Sequence, residues 1–287
     1  MIEDLIYDVG MHVGKDTEFY LRKGFRVVAI EANPELAETV RNRLSGDVES
    51  GRLTILGVAI SDRAGLADFW IDTGDGIYST LIEDNLLPWT STRCIRVKCE
   101  TFDTILKEHG IPYYLKIDIE GADIGCIRAL RGTQSKPKYV SFECPLKSFE
   151  STFEGVAELW MMGYRRFKLV NQARHIEVRC PNPPLEGKYF DMRFDAFTSG
   201  PFGEETPGQW LTIEETIGKC LKLGKQHAKR LSYEASGRLW GVPLHRVHHL
   251  LRWTYNTSPV RTFRKICSTA LRREIGGWFD IHARYGG

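Results

Sequence analysis

The chain has 287 residues, 42% hydrophobic and 26% charged, with a net charge of +2. That balance is ordinary for a globular protein and excludes an intrinsically disordered chain. No stretch approaches the ~20 apolar residues that a membrane-spanning helix needs. The start, Met1-Ile2-Glu3-Asp4, is acidic and leads at once into an apolar run, so no secretory signal is expected. Seven cysteines, none in a C-x-x-C pair, point to a reduced, cytoplasmic protein without zinc or redox motifs. The small net charge hides an asymmetry: residues 219–287 hold 14 Lys and Arg against three acids, and the rest of the chain is acidic. An acidic body with a basic tail suits work near an anionic surface.

Strand-like and helix-like segments alternate along the first half. Leu5–Val9 predicts a strand, followed by a helix over 15–23 and a second strand over 25–30. Pro34 fits the first turn of a helix that runs to Leu44. A third strand is expected over 53–60, then a β excursion with strands at 67–71 and 94–99. A short helix over 101–109, a strand over 113–119, a helix over 121–130 and a strand over 138–144 follow. Apolar residues at 153, 156, 157, 160 and 161 predict a helix. Strands over 164–170 and 191–198 complete the set. Such alternation implies an α/β fold with a mostly parallel sheet covered on both faces. The turn-rich Gly200–Gly208 segment then suggests a boundary, with one domain over 1–205 and a basic, aromatic, helical C-terminal extension over 206–287.

In such sheets ligands bind beyond the C-terminal strand ends. Polar residues gather where the expected strands stop: Asp8, Glu31, Ser61-Asp62, Asp118-Glu120 and Glu143. Asp8-Val9-Gly10-Met11-His12-Val13-Gly14 is a glycine-bearing turn behind the first strand, and Glu31 closes the second. Glycine lets a ligand approach the backbone, and the later carboxylate can hold ribose hydroxyls. The spacing is G-x-x-x-G, unlike the G-x-G-x-x-G of dinucleotide sites. It suits a ligand with a ribose and an amino-acid tail but no pyrophosphate, such as S-adenosylmethionine. An ordinary β-turn-α connection would use the same glycines. In Tyr114–Asp123, alternation sets Lys116, Asp118 and Glu120 on one face. Asp118 is the candidate base or hydroxyl-positioning group, with Glu120 and Glu143 as alternatives; a structural ion pair through Lys116 is the plainer reading.

These segments, in order, resemble the FkbM family of methyltransferases. The resemblance rests on Asp8-Val9-Gly10-x-x-x-Gly14, Glu31-Ala32-Asn33-Pro34, Ala59-Ile60-Ser61-Asp62, Lys116-Ile117-Asp118-Ile119-Glu120-Gly121 and Ser141-Phe142-Glu143. It implies a class I, Rossmann-like methyltransferase fold, with a seven-stranded, mostly parallel sheet and an antiparallel edge hairpin. It also implies S-adenosylmethionine as cofactor and O-methylation of sugars or natural products. By the same resemblance Asp8, Gly10 and Gly14 frame the methionine end, Glu31 holds the ribose, and Ala59 to Asp62 flank the adenine. Met11, His12, Thr17, Ala32, Asn33, Ser61 and Asp118 complete the expected cofactor-binding set. The expected catalytic set is Asp118, Lys116, Glu120, Glu143 and His12. Met11-His12 stands where the family pattern has Ala-Asn, which gives His12 a structural or an acceptor-side role. Gly76-Ile77-Tyr78-Ser79-Thr80 is either an acceptor-pocket segment or a hairpin turn. The resemblance leaves the edge before the first strand to be covered by the extension or by a second subunit.

No metal site is expected, because the carboxylates have no ligand spacing that sets them apart from a hydrogen-bonded cluster. The basic stretch 238–273 interleaves arginines with Trp240, Leu250, Trp253 and Phe263. Such a stretch packs on the body, lies on an anionic membrane, or binds nucleic acid, though it lacks stacked-aromatic RNA motifs. The expected function is S-adenosylmethionine-dependent O-methylation of a carbohydrate or secondary metabolite. The competing readings are a catalytically silent adaptor, an RNA methyltransferase and a nicotinamide oxidoreductase.

Overall fold

The computed structural model describes residues 1–73, 79–82, 91–119, 121–145, 150–195, 197–235, 238–239, 242–243 and 279–286. Its centre is a seven-stranded sheet. The strands are β1 (Ile2–Val9), β2 (Arg26–Ile30), β3 (Leu53–Leu56), β7 (Pro112–Ile117), β8 (Tyr139–Cys144), β9 (Tyr164–Asn171) and β12 (Phe279–Tyr285). They lie in the order β3-β2-β1-β7-β8-β12-β9. Pairings from β3 through β8 are parallel, and β12 runs antiparallel to both β8 and β9. The β9–β12 pair therefore forms an antiparallel edge to a mostly parallel sheet. A smaller sheet, in the order β4-β6-β5, joins β4 (Ala59–Ile60), β5 (Gly65–Asp72) and β6 (Thr92–Glu100).

Helices cover both faces. Asn33 accepts a bond from the Glu35 N–H and Pro34 takes the first turn, which starts α2 (Pro34–Arg43), followed by the short α3 (Ser45–Glu49). Thr101 caps α4 (Phe102–His109) in the same way, through the Thr104 N–H. One apolar layer joins Tyr7, Leu115, Phe142 and Ile281 to α4, α5 (Asp123–Ala129) and α6 (Glu150–Met161). The other joins Ile6, Tyr114 and Tyr139 to α1 (Lys15–Arg22), α2 and residues 180–202. Phe202 stacks on Tyr114 at 4.9 Å within it. On that second face the register sets Asp8, Lys116, Ser141, His282 and Lys168 in one row across five strands. All five side chains are buried, so the row is a polar seam that must be satisfied internally.

Two expected strands are corrected. Asp191–Thr198 is not a strand. Asp195 and Thr198 fold it into a turn: the Asp195 N–H bonds Thr198 Oγ1, and the Phe197 N–H bonds Asp195 Oδ1. The antiparallel strand comes instead from Phe279–Tyr285, so the sheet draws on both sides of the expected boundary at 205/206. Phe167 and Leu211 exchange two backbone bonds, and α7 (Ile213–Ala235) packs on β9, which ties the second part of the chain to the same body. The expected third strand also splits after Leu56: Ala59–Ile60 leaves the main sheet and pairs with β6. Of the basic stretch 238–273, only Arg238–Leu239 (β10) and Val242–Pro243 (β11), a short antiparallel pair, are described. Its remainder lies outside the described residues, as do Glu120 and Gly76–Tyr78. Among the described residues, no helix is long and apolar enough to cross a membrane.

Three predictions follow from this architecture. Ile281 is fully buried, so Ile281→Ala should cost about 2–5 kcal/mol in a denaturant melt; a residue in a peripheral tail would cost almost nothing. Gly10 has φ +87°, and a Cβ there would meet the Asp118 carbonyl oxygen at 1.8 Å. Gly10→Ala must push the tips of β1 and β7 apart and should cost about 2–5 kcal/mol in the same assay. Burial, with neighbouring His175 and Lys168, lowers His282 to about 3, and burial lowers His175 to about 4. Both stay neutral in the fold while the unfolded chain takes up protons near 6.5. The stability these two histidines contribute is therefore lost as pH drops from about 6.5 toward 4. His282→Leu should remove its share, so that, against the parent, the variant's stability at pH 4.5 improves relative to its stability at pH 7 when melts at the two are compared.

Candidate active site

Beyond the C-terminal ends of β1, β2 and β7 lies a cleft of about 940 Å³, its open mouth included. The turn after β1 forms its floor. The N–H groups of Gly10 and Met11 both bond the Ile30 carbonyl at 3.0 Å, and the Asp118 N–H bonds the Val9 carbonyl at 2.9 Å. Gly10 is required by the approach of the Asp118 backbone rather than by room for a ligand. His12 sits in the left-handed region at φ 52°, a conformation that Asn and His tolerate better than most residues. Its ring stacks with Phe197, the centroids 5.9 Å apart.

Glu31 stands at the end of β2, buried at the pocket wall. One oxygen accepts the His12 N–H at 2.7 Å and the other the Asn33 N–H at 2.8 Å. Burial raises its carboxyl above the usual value, and the two N–H bonds pull it back. Each oxygen retains a lone-pair direction for a hydroxyl donor. Ile30, Val58, Ala59 and Ile60 make an apolar wall beside it, and Phe69 of β5 and Leu81 extend that wall, with the polar Ser79 next to them.

The opposite end is electrostatic. Lys116 Nζ lies 3.0 Å from Asp8 Oδ1, 3.7 Å from Asp16 Oδ2 and 3.7 Å from Asp118 Oδ2. It also donates to the Gly10 carbonyl at 3.2 Å. Burial alone would lower the Lys116 ammonium, but Asp8, Asp118 and Asp16 together hold it well above the usual lysine value. It is a fixed cation and cannot serve as a base. Thr17 donates to the second oxygen of Asp8 at 2.6 Å, so both Asp8 oxygens are engaged behind the pocket. Asp16 faces the pocket. Both its oxygens share the Ser199 N–H, at 3.0 and 2.9 Å. Burial pushes its carboxyl up, Lys116 draws it down, and the charge of Asp8 adds to the rise, to about 6. Asp118 also lines the pocket and keeps 24% of its side chain exposed.

The expected residues therefore divide. Gly10, Met11, His12, Glu31, Ala32, Ala59, Lys116 and Asp118 meet around one cleft. Asp8 and Thr17 brace it from behind, Gly14 starts α1 at φ 72°, and Asn33 orients Glu31. Ser61 opens onto a neighbouring cleft with Thr101 and Asp103. Glu143 sits opposite Asp280 in the sheet register, away from the lining. Asp16 and Phe197–Ser199 line the cleft and were not among the expected residues. An acid in the first turn of a helix looks like ordinary dipole pairing. Only the fold brings residues 197–199 to the tip of β1. Among the described residues, no three side chains converge as a metal-ligand group.

The chain matches the methyltransferase FkbM domain over residues 8–166, more than half its length and nearly every strand end described above. No curated protein sequence matches it. Among solved structures it is similar to a precorrin-8w decarboxylase from Methanobacterium thermoautotrophicum (16% identity, 59% of this chain, 68% of that chain, TM-score 0.36). It is also similar to a precorrin-6y C5,15-methyltransferase from Geobacter metallireducens (15% identity, 67% of this chain, 76% of that chain, TM-score 0.35). A third is a SAM-dependent methyltransferase from Thiobacillus denitrificans in complex with S-adenosyl-L-homocysteine (10% identity, 99% of this chain, 85% of that chain, TM-score 0.35). The chain belongs to the FkbM family of SAM-dependent methyltransferases.

Proposed function

We propose that this enzyme methylates a hydroxyl of a carbohydrate or a secondary metabolite, with Asp118 receiving or steering the hydroxyl proton. One observation carries the reading. Of the acids set around Lys116, Asp118 both lines the cleft and exposes a substantial part of its side chain, while Asp8 and Asp16 are buried.

The residues present fit the family's cofactor. Ala59 and Ile60 offer apolar contact for an adenine, and Glu31 keeps acceptor capacity for two ribose hydroxyls. The carboxylates around Lys116 outnumber it, which favours a cationic group at that end. Bound there, S-adenosylmethionine supplies an electrophilic methyl carbon that an acceptor oxygen can attack in line.

The side chains then have separate tasks. Lys116 orients Asp118 through a 3.7 Å contact. Asp118 accepts the proton that the acceptor hydroxyl loses as its oxygen gains the methyl group. His12 and Phe197 wall the mouth and limit water. Positioning supplies much of the rate in such a displacement, and a base adds about 10²–10⁴-fold. The basic excess of residues 219–287 supports peripheral contact with an anionic membrane surface, which salt would weaken.

A radiolabelled methyl-transfer screen against glycan, lipid and metabolite extracts tests the acceptor class, and a labelled product stable to base but not at a hydroxyl would defeat it. With an acceptor in hand, Asp118→Asn should lower kcat by about 10²–10⁴-fold. Affinity for S-adenosylhomocysteine should change by less than about threefold, within the scatter of a neutral contact. Equal losses in both would make Asp118 a binding residue only.

A further inference from the structure

We propose that Phe197 is the platform on which a sugar ring of the acceptor stacks, so that it selects a pyranose over an open-chain hydroxyl compound; the inference rests on the hydroxyl-acceptor reading above. Among the described residues, Phe197 is the one exposed large apolar side chain that lines the cleft, with 39% of its surface open. It belongs to none of the three apolar clusters that fill the fold. An aromatic ring left in water costs free energy that burial recovers. At the mouth of a cleft, the apolar face of a ligand supplies that burial.

Dedicated bonds hold the ring there. The Phe197 N–H donates to Asp195 Oδ1 at 2.9 Å, and the Asp195 N–H donates to Thr198 Oγ1 at 2.8 Å. The other Asp195 oxygen pairs with Lys15 at the start of α1. Just beyond the turn, Asp16 holds the Ser199 N–H. The segment is thus pinned on both sides of the ring. From the turn after β1, His12 stacks on Phe197 at 5.9 Å, the two planes 24° apart. A platform fixed before its ligand arrives loses less entropy on binding.

The surroundings of the ring match a carbohydrate. Lys15 Nζ lies 5.1 Å from the ring centroid, and Lys15, Asp195 and His12 make a polar rim around an apolar centre. A pyranose has the complementary pattern, a C–H face edged by hydroxyls. An open-chain polyol offers no such face, and a wholly apolar ring would cover the rim without bonding it. The groups assigned to the nucleoside, Glu31 and the Ala59–Ile60 wall, are buried, whereas Phe197 is open. Asp118 lines the same cleft with 24% of its side chain exposed, so a ring stacked on Phe197 can present a hydroxyl to it.

The test follows labelled methyl transfer from S-adenosylmethionine into a glycan extract on the full chain. Calorimetry with S-adenosylhomocysteine reads the donor side, and a thermal melt checks each variant's fold. Phe197→Ala should raise the apparent KM for the glycan about 3–10-fold, the range expected for losing one aromatic face. Phe197→Leu, apolar but without a flat face, should show a loss of the same order, and Phe197→Tyr, which keeps the face, should restore the parent value. Affinity for S-adenosylhomocysteine should move by less than about twofold, the scatter of a surface change. Equal weakening of S-adenosylhomocysteine would put the ring on the donor side and overturn the assignment. An unchanged KM in Phe197→Ala, or full function in Phe197→Leu, would overturn it too. Absence of any labelled glycan from the unaltered chain would instead overturn the carbohydrate reading, and this platform with it.

Discussion

The buried ammonium of Lys116 organises the strand tips at the cleft. Lys116 is the meeting point of three parts of the chain that are remote in sequence: β1 through Asp8, α1 through Asp16, and the segment after β7 through Asp118. Burying a cation is costly unless its partners compensate, and removing one member of such a group is more damaging than never having built it. The arrangement therefore fixes the strand tips in one relation. The contact of Asp16 with the Ser199 N–H carries that order outward to the cleft wall.

The same charges explain why so few residues can divide the work. Glu31 is saturated on the backbone side by two N–H donors and is thus oriented for hydroxyls. Asp8 is consumed internally. Asp16 and Asp118 differ in exposure: Asp16 is buried, and Asp118 keeps part of its side chain open to the cleft. Environment, not residue type, sets the carboxylates apart.

Most of the main-sheet strands are legible in the sequence, because β1, β2, β7 and β8 are short apolar runs that end in polar residues. Glu31 and Asp118 are legible for the same reason: a carboxylate at the tip of a buried strand has few structural excuses. Other features are hidden for identifiable causes. Asp16 resembles a routine acid at a helix start. Residues 197–199 reach the cleft through a turn held largely by side chain-to-backbone bonds, which leave no periodicity. β12 contains Asp280 and His282, which break the apolar signal although both are buried. The role of Gly10 is invisible locally, since the atom it avoids belongs to Asp118. In each case the missing information is a contact between distant residues.

The position of β12 has a consequence for assembly. Its two neighbours, β8 and β9, are complete by Asn171, yet the strand that joins them begins at Phe279. Until it arrives, each neighbour presents an open row of backbone donors and acceptors, the kind of edge that invites pairing with another chain. Closing so long a loop adds little to the equilibrium cost, since loop entropy grows only with the logarithm of length. The burden is kinetic: nascent molecules spend their vulnerable interval waiting for their last strand. Yield from synthesis, more than resistance to heat, is the property this topology puts at risk.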